Sequence, residues 1–208
     1  MKLYYSPGTC SLSPHIILRE GQFDFDLVRV DLGQHKTESG EDFKQISPTG
    51  MVPLLELDDG THISEGAVIV QYLADQKPAA KLAPKQGSMD HYKMLSWLNW
   101  TASELHKAHL PLFASDMFGG EAAKQGAIKN LKTKYDLVNK HIGENQYLLG
   151  DQFCVADAYL FTILSWHKSA DLDLADWANL NSFYKKMQQR EAVQQALNHE
   201  ETQKRKVA

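Results

Sequence analysis

The stretch VPLLELDDGTHISEGAVIVQYLADQ, residues 52–76, settles the architecture of the first third of the chain. It opens with an apolar run, turns at Asp59-Gly60, resumes as a second short strand, and passes into a helix with an apolar face. Asp-Gly between two such runs is a strong hairpin signal, because the tight turn needs a positive φ that glycine adopts at no steric cost. Toward the N-terminus, DLVRVDL (26–32) alternates with period two and reads as a half-buried strand. SLSPHIILREG (11–21) reads as a helix stopped at Gly21, KLYYS (2–6) as an apolar strand, and SGEDFKQIS (39–47) as a short helix. The order βαβαββα predicts a small mixed sheet with helices packed on it.

Outward in the other direction, KPAAKLAPKQG (77–87) holds two prolines, a glycine and three lysines, and little that builds a core. It reads as a linker, placed at 79–87, between a first domain at 1–78 and an all-helical one at 88–208. The segment 88–113 is long and amphipathic, with Pro111 bending or breaking its end, and 121–143 is a second long helix ending at Gly143. VADAYLFTILSWHKSA (155–170) is apolar nearly all round, as a central buried helix is. WANLNSFYKKMQQR and EAVQQALNHE complete the bundle, and there is no internal repeat.

Composition narrows the function classes. The chain has 208 residues and a formal charge of −4, which argues against a general nucleic-acid binder. No run of about 18 apolar residues exists, so no membrane span is expected. Pro7, Gly8 and Pro14 interrupt the N-terminal segment where a signal peptide would need an apolar stretch. The two cysteines, Cys10 and Cys154, lie far apart, and cytosolic thiols in a cytoplasmic protein are the default expectation. The basic tail QKRKVA reads as a frayed, solvated terminus.

Cys10 stands out. An arbitrary cysteine is most often an inert small hydrophobe. This one follows the turn residues Pro7 and Gly8 and precedes an apolar helix. Unpaired amides and the positive end of a helix dipole favour thiolate, so its pKa is expected below the free value of about 8.5. The motif is Cys10-Ser11-Leu12-Ser13, not Cys-x-x-Cys, so two-cysteine redox chemistry on one chain is not expected. Tyr4 and Tyr5 sit in a strand and read as structural. Ser64 is placed to cap the helix that follows it, leaving amides at Glu65 and Gly66 open to a carboxylate. Glu104, His106 and His109 are clustered, but no HExxH pattern or third ligand supports a metal site. Trp97, Trp100, Leu110, Phe113 and Trp166 either line an apolar pocket or serve as core aromatics.

The stretches KLYYSPGTCSLSPHI, GMVPLLELDDG, ISEGAVIVQYLAD and FCVADAYLF together resemble the cytosolic glutathione transferases, and the bacterial beta class in particular. The resemblance covers essentially the whole chain. It implies a thioredoxin-like N-terminal domain, a helical C-terminal domain, a homodimer, and glutathione as cosubstrate without a metal. It implies a cis Val52-Pro53 bond, with Val52 pairing the tripeptide as an added strand would, and Glu65 and Gly66 at the γ-glutamyl end. It places Cys10 and Ser11 by the glutathione sulfur, and His35 by the glycine carboxylate, with Lys36 as the alternative. It further implies that His106 and Lys107 face the glutathione site, His106 as a hydrogen-bond partner or acid–base group, while Ser103 and Glu104 reach that of the other subunit. The implied reaction conjugates glutathione to small apolar electrophiles. Glutaredoxin-like thiol transfer through Cys10, or a non-catalytic ligand-binding or interaction protein, are the alternatives. The family usually carries Ser/Thr-x-x-Asp where this chain has Cys154 and Asp157, and a thiol accepts weakly, so half a capping box is expected.

Overall fold

The computed structural model describes residues 1–143 and 145–205. The chain divides into two compact units, Met1–Ala83 together with the chain from Arg190 on, and Pro84–Gln189. The first boundary falls inside the stretch read as a linker. The second differs from the sequence reading, because the last helix belongs with the first unit and not with the helical one. Its amphipathic pattern shows that it has an apolar face; it does not show which surface that face covers.

The first unit is built on strands β1 (Lys2–Tyr5), β2 (Asp26–Asp31), β3 (Lys36–Thr37), β4 (Leu54–Glu56) and β5 (His62–Ser64), in the order β3-β2-β1-β4-β5. β1 runs parallel to β2, and the remaining pairings are antiparallel. The two-residue edge strand β3 is too short to leave a period in the sequence. Helices α1 (Leu12–Glu20) and α3 (Gly66–Gln76) bury Ile16, Ile17, Ile69, Val70 and Leu73 completely. Tyr4, on the opposite face of β1 from Leu3 and Tyr5, joins Val30, Val52, Leu54 and Phe43 of the short helix α2 (Phe43–Ile46). The two tyrosines are therefore both buried. The Tyr4 hydroxyl donates to Glu56 Oε2 at 2.7 Å, and the Tyr5 hydroxyl pairs with His199 Nε2 at 3.0 Å.

The second unit contains α4 (Met89–Trp100), which runs directly into a π-helical segment, Thr101–His106. The single long helix expected over 88–113 is thus divided, and Pro111 lies in the short α5 (Leu110–Phe113). Then come α6 (Ser115–Phe118), α7 (Glu121–Ile142), α8 (Val155–Leu164) and α9 (Ala178–Gln188). Every residue of α8 is buried, as its apolar circumference predicts. Cys154 caps it. Asp157 Oδ2 accepts from the Cys154 amide at 2.8 Å, and the Cys154 side chain occupies the place of the capping hydroxyl over the Asp157 amide. Both halves of the box are formed, where the sequence suggested one, with sulfur as the weaker acceptor.

The last helix, α10 (Glu191–Arg205), rejoins the first unit and packs on α1 with Val193 and Ala196 fully buried. Its entry is clamped by Arg190, whose Nε and Nη2 donate to the two carboxylate oxygens of Glu20 at 2.6 and 2.8 Å. Of the basic tail, Gln203–Arg205 is helical, against the frayed reading, and 206–208 lie outside the described residues. No helix among the described residues is long and apolar enough to cross a membrane.

Candidate functional site

The turn between β1 and α1 carries Cys10. Ser6 forms its hub, with a carbonyl that accepts from the Thr9 amide at 3.2 Å, the Thr9 hydroxyl at 2.8 Å and the Ser11 hydroxyl at 3.1 Å. Ser11 is fully buried, and its oxygen also accepts from the Ser6 amide at 3.2 Å. Its hydroxyl is spent on fastening the turn, which places it away from the ligand-facing role that the resemblance implies. Gly8 adopts φ +80°, a left-handed conformation that a side chain would strain.

Across from this turn, the Val52-Pro53 bond is cis. The Cys10 thiol donates to the Val52 carbonyl at 3.5 Å, so the thiol and the Val52 peptide edge lie side by side. Burial pushes the Cys10 pKa up to about 11. The backbone amides of Cys10 and Ser11 pull it down, and the Glu65 charge pushes it further up. The helix end does address the sulfur as the sequence suggests, but loss of hydration outweighs it, and Cys10 is a protonated thiol at neutral pH.

Glu65 precedes α3 with φ 67°, exposed, and no side chain caps that helix. The expected cap, Ser64, is instead the last residue of β5, where the hairpin register pairs it with Leu54. A Cβ at Gly66 would meet Pro53 Cγ at 3.6 Å, an ordinary contact, so the fold itself does not demand glycine there. His35, also left-handed at φ 52°, lies against Gly50, where a Cβ would stand 2.8 Å from its Nδ1. The stem of Lys44 closes on the same position, its Cε 3.3 Å from where that Cβ would stand. Lys36 is exposed in β3, paired with Asp31. Lys44 is the cation that the sequence reading missed; α2 is a single turn, and no pattern there tells which way its lysine points.

In the helical unit the π segment carries Ser103 and Glu104, both exposed, and His106, followed by exposed Lys107. Glu104 accepts from Lys134 Nζ at 2.8 Å, which lowers its pKa. His106 Nδ1 lies 3.0 Å from the Tyr159 hydroxyl. Burial, helped by the Lys107 charge, drops its pKa to about 4, so the ring is neutral at pH 7 and serves there as a hydrogen-bond partner. His109 is fully buried with Nδ1 2.9 Å from the Leu105 carbonyl, a core histidine. Among the described residues no group of three or more His, Cys, Asp or Glu is arranged to hold a metal. The five aromatic and aliphatic candidates separate. Trp166 meets Phe113 at 5.3 Å and His106 at 5.0 Å, whereas Trp97 and Trp100 pair with each other at 5.4 Å.

Comparison with known proteins identifies the family. The pattern describing the glutathione S-transferase N-terminal domain matches residues 8–76, and that of the C-terminal domain matches 101–191. Glutathione S-transferase GstA of Escherichia coli is 43% identical over 200 residues, covering 96% of this chain and 98% of that protein. A glutathione S-transferase of Xanthomonas campestris is 34% identical, covering 96% and 98%. Among solved structures, a sphingomonad glutathione S-transferase complexed with glutathione has TM-score 0.92 and 44% identity, covering 96% of this chain and 98% of that one. The bacterial beta class enzyme of Sphingomonas chungbukensis has TM-score 0.91 and 41% identity, over 96% and 98%. The chain belongs to the glutathione S-transferase family, on its bacterial beta-class branch.

Proposed function

We propose that this protein conjugates reduced glutathione to small apolar electrophiles, as a cytoplasmic homodimer. The observation that carries the reading is the cradle in the first unit. The Cys10 thiol stands 3.5 Å from the Val52 carbonyl, and Glu65 sits at the uncapped start of α3. Val52 offers a peptide edge to an extended tripeptide. The open amides of α3 and the Glu65 carboxylate suit the carboxylate and ammonium of a γ-glutamyl group. His35 and Lys44, meeting over Gly50, supply the polar and cationic end for the glycine carboxylate.

Cys10 acts in this scheme as donor. On binding, its S–H turns from the Val52 carbonyl to the glutathione sulfur and, with the amides of Cys10 and Ser11, holds that sulfur as thiolate, its proton released to solvent. The thiolate attacks an electrophilic carbon and forms a thioether while the leaving group departs. Thiol transfer through a Cys10–glutathione mixed disulfide needs a thiolate at Cys10, and a pKa near 11 weighs against it. Neutral His106, with Tyr159, supplies a hydrogen-bonding ring, and Ser103, Glu104 and Lys107 remain proposed ligand-binding residues. Exposed Met89 and Tyr92, both on α4, suit the proposed homodimer.

Calorimetric titration with glutathione, paired with a conjugation assay on an activated aryl chloride, tests the reading. Micromolar to low-millimolar binding and thioether formation are expected, with Glu65→Ala weakening binding about ten-fold or more, since a hydrogen bond to a charged group contributes about 1.5–3 kcal/mol. Failure of the wild type to bind glutathione at several millimolar overturns it.

A further inference from the structure

Gly8 is the point at which the last helix touches the turn that carries Cys10. Its amide donates to Glu200 Oε2 at 2.8 Å, across 192 residues of sequence. The Lys204 side chain arches over the same residue, so that a Cβ there would stand 2.7 Å from Lys204 Nζ. Glu200 is only 3% exposed. Its other oxygen lies 3.3 Å from Nδ1 of His15, itself fully buried on α1. Arg19 Nε donates to His15 Nε2 at 2.9 Å, which places the neutral ring's proton on Nδ1 and makes Glu200 its acceptor. A directed chain results, from Arg19 to His15 to Glu200, with Gly8 donating to the same carboxylate. One residue earlier on α10, His199 meets Tyr5 at the end of β1. The helix thereby engages the strand before the turn, the turn itself and the helix after it.

A helix needed only for packing does not require a carboxylate here. Burying one is costly unless its oxygens are paired, and the neighbouring buried positions of α10, Val193 and Ala196, are apolar. Among the described residues the other buried acid is Asp157, whose two oxygens hold the backbone amides of Leu148 and Cys154. Glu200 acts on the backbone in the same manner, but on the turn two residues before Cys10.

We propose that Glu200 is a positioning residue. Through Gly8 it fixes the turn so that the Cys10 thiol and the amides of Cys10 and Ser11 address one point, and so sets the affinity for the glutathione sulfur. This rests on the reading of the cradle as a glutathione site. The test compares Glu200→Leu, which removes both acceptors, with Glu200→Gln, which keeps a carbonyl for Gly8, and with Val193→Ala, which loosens the same helix without touching the turn. Glu200→Leu is expected to raise KM for glutathione about ten-fold while KM for the electrophile stays within two-fold. Glu200→Gln is expected to stay within three-fold of wild type, and Val193→Ala to lower Tm with both KM values unchanged. If Glu200→Leu lowers Tm alone, or Val193→Ala moves the glutathione KM equally, Glu200 is merely structural and the proposal fails. Should Glu200→Leu not fold, Glu200→Asp carries the test. Its shorter carboxylate withdraws from Gly8 and is expected to raise the same KM about five-fold, and an unchanged KM overturns the proposal. The rate of Cys10 alkylation by iodoacetamide, read by mass spectrometry without glutathione, separates the two ideas. A five-fold change in Glu200→Leu but not in Val193→Ala upholds the positioning of the turn even if the wild type proves not to bind glutathione; equal rates in all variants overturn it.

Discussion

At Cys10 two opposing effects act on one sulfur. The amides at the start of α1 favour thiolate, while burial and the nearby Glu65 charge favour thiol, and the second group wins with a pKa of about 11. The proposed role follows from that balance and has a magnitude. A hydrogen bond to a charged group such as the glutathione thiolate contributes about 1.5–3 kcal/mol, so Cys10→Ala is expected to lower kcat/KM for conjugation by about ten- to a hundred-fold. Loss of an essential covalent nucleophile would instead cost about a thousand-fold or more. Steady-state kinetics of the variant decides between them, and thiolate absorbance of the ligand-free protein should emerge for Cys10 only well above pH 9. Cys154 poses the opposite case, a thiol where a hydroxyl is the better acceptor. Cys154→Ser gives the Asp157 amide an oxygen partner and should raise stability by up to about 1 kcal/mol, read as a higher Tm. An unchanged or lower Tm would mean that the sulfur's burial outweighs the hydrogen bond.

α8 shows how one buried acid organises an element. Asp157 Oδ1 accepts from the Leu148 amide and Oδ2 from the Cys154 amide, both at 2.8 Å and both in the interior. Asp157→Ala strands two buried donors, at about 1–3 kcal/mol each, so a fall of about 3 kcal/mol or more is expected in the urea-unfolding free energy. This helix was legible in the sequence because an apolar circumference has one physical meaning, burial, and FCVADAYLF carries its own cap. The hairpin at Asp59-Gly60 was legible for the same reason, since turn chemistry is local. Other features depend on contacts distant in sequence. Ser64 reads as a cap until the register with Leu54 draws it into the ladder. Ser11 reads as ligand-facing until Ser6 claims its hydroxyl. The thiolate expected at Cys10 followed from the local helix end, whereas the burial that reverses it comes from elements far away in sequence. α10 has a plain amphipathic face, yet nothing in its sequence says that it returns to α1. The proposed site is correspondingly half readable: motif residues such as Cys10, Val52 and Glu65 announce themselves, while Lys44 and Glu200 emerge only from packing.

Over the whole molecule, the buried histidines tie stability to pH. His15, His106 and His109 all have pKa values lowered chiefly by burial, to about 4 for the last two. Folded, His106 and His109 stay neutral near pH 6, and His15 titrates lower than an ordinary histidine; unfolded, each titrates near 6.5. Between those values the unfolded chain binds more protons than the folded one, so stability falls as pH falls from about 6.5 toward 4 and is level above about 7.5. Solvent at the partly exposed His106 screens its charge and reduces its contribution. His109 is fully buried, and a displacement from 6.5 to about 4 corresponds to roughly 3 kcal/mol at the acid end. Carboxylates such as Glu56, whose pKa is lowered by Lys2 and Tyr4, add to the decline only below their own range, under about pH 4.5. The window between 4.5 and 6.5 therefore belongs to histidine. Urea unfolding of the wild type at pH 7.5, 6.5, 5.5 and 4.5 should show a progressive loss across that window. His109→Phe keeps an aromatic ring against Phe113 and Trp166 but removes the proton site. Whatever it costs at pH 7.5 through packing, its stability should decline less steeply, bringing the two curves together toward pH 4.5. Parallel curves would mean that His109 is hydrated enough to titrate in the folded state and is not the source of the acid sensitivity.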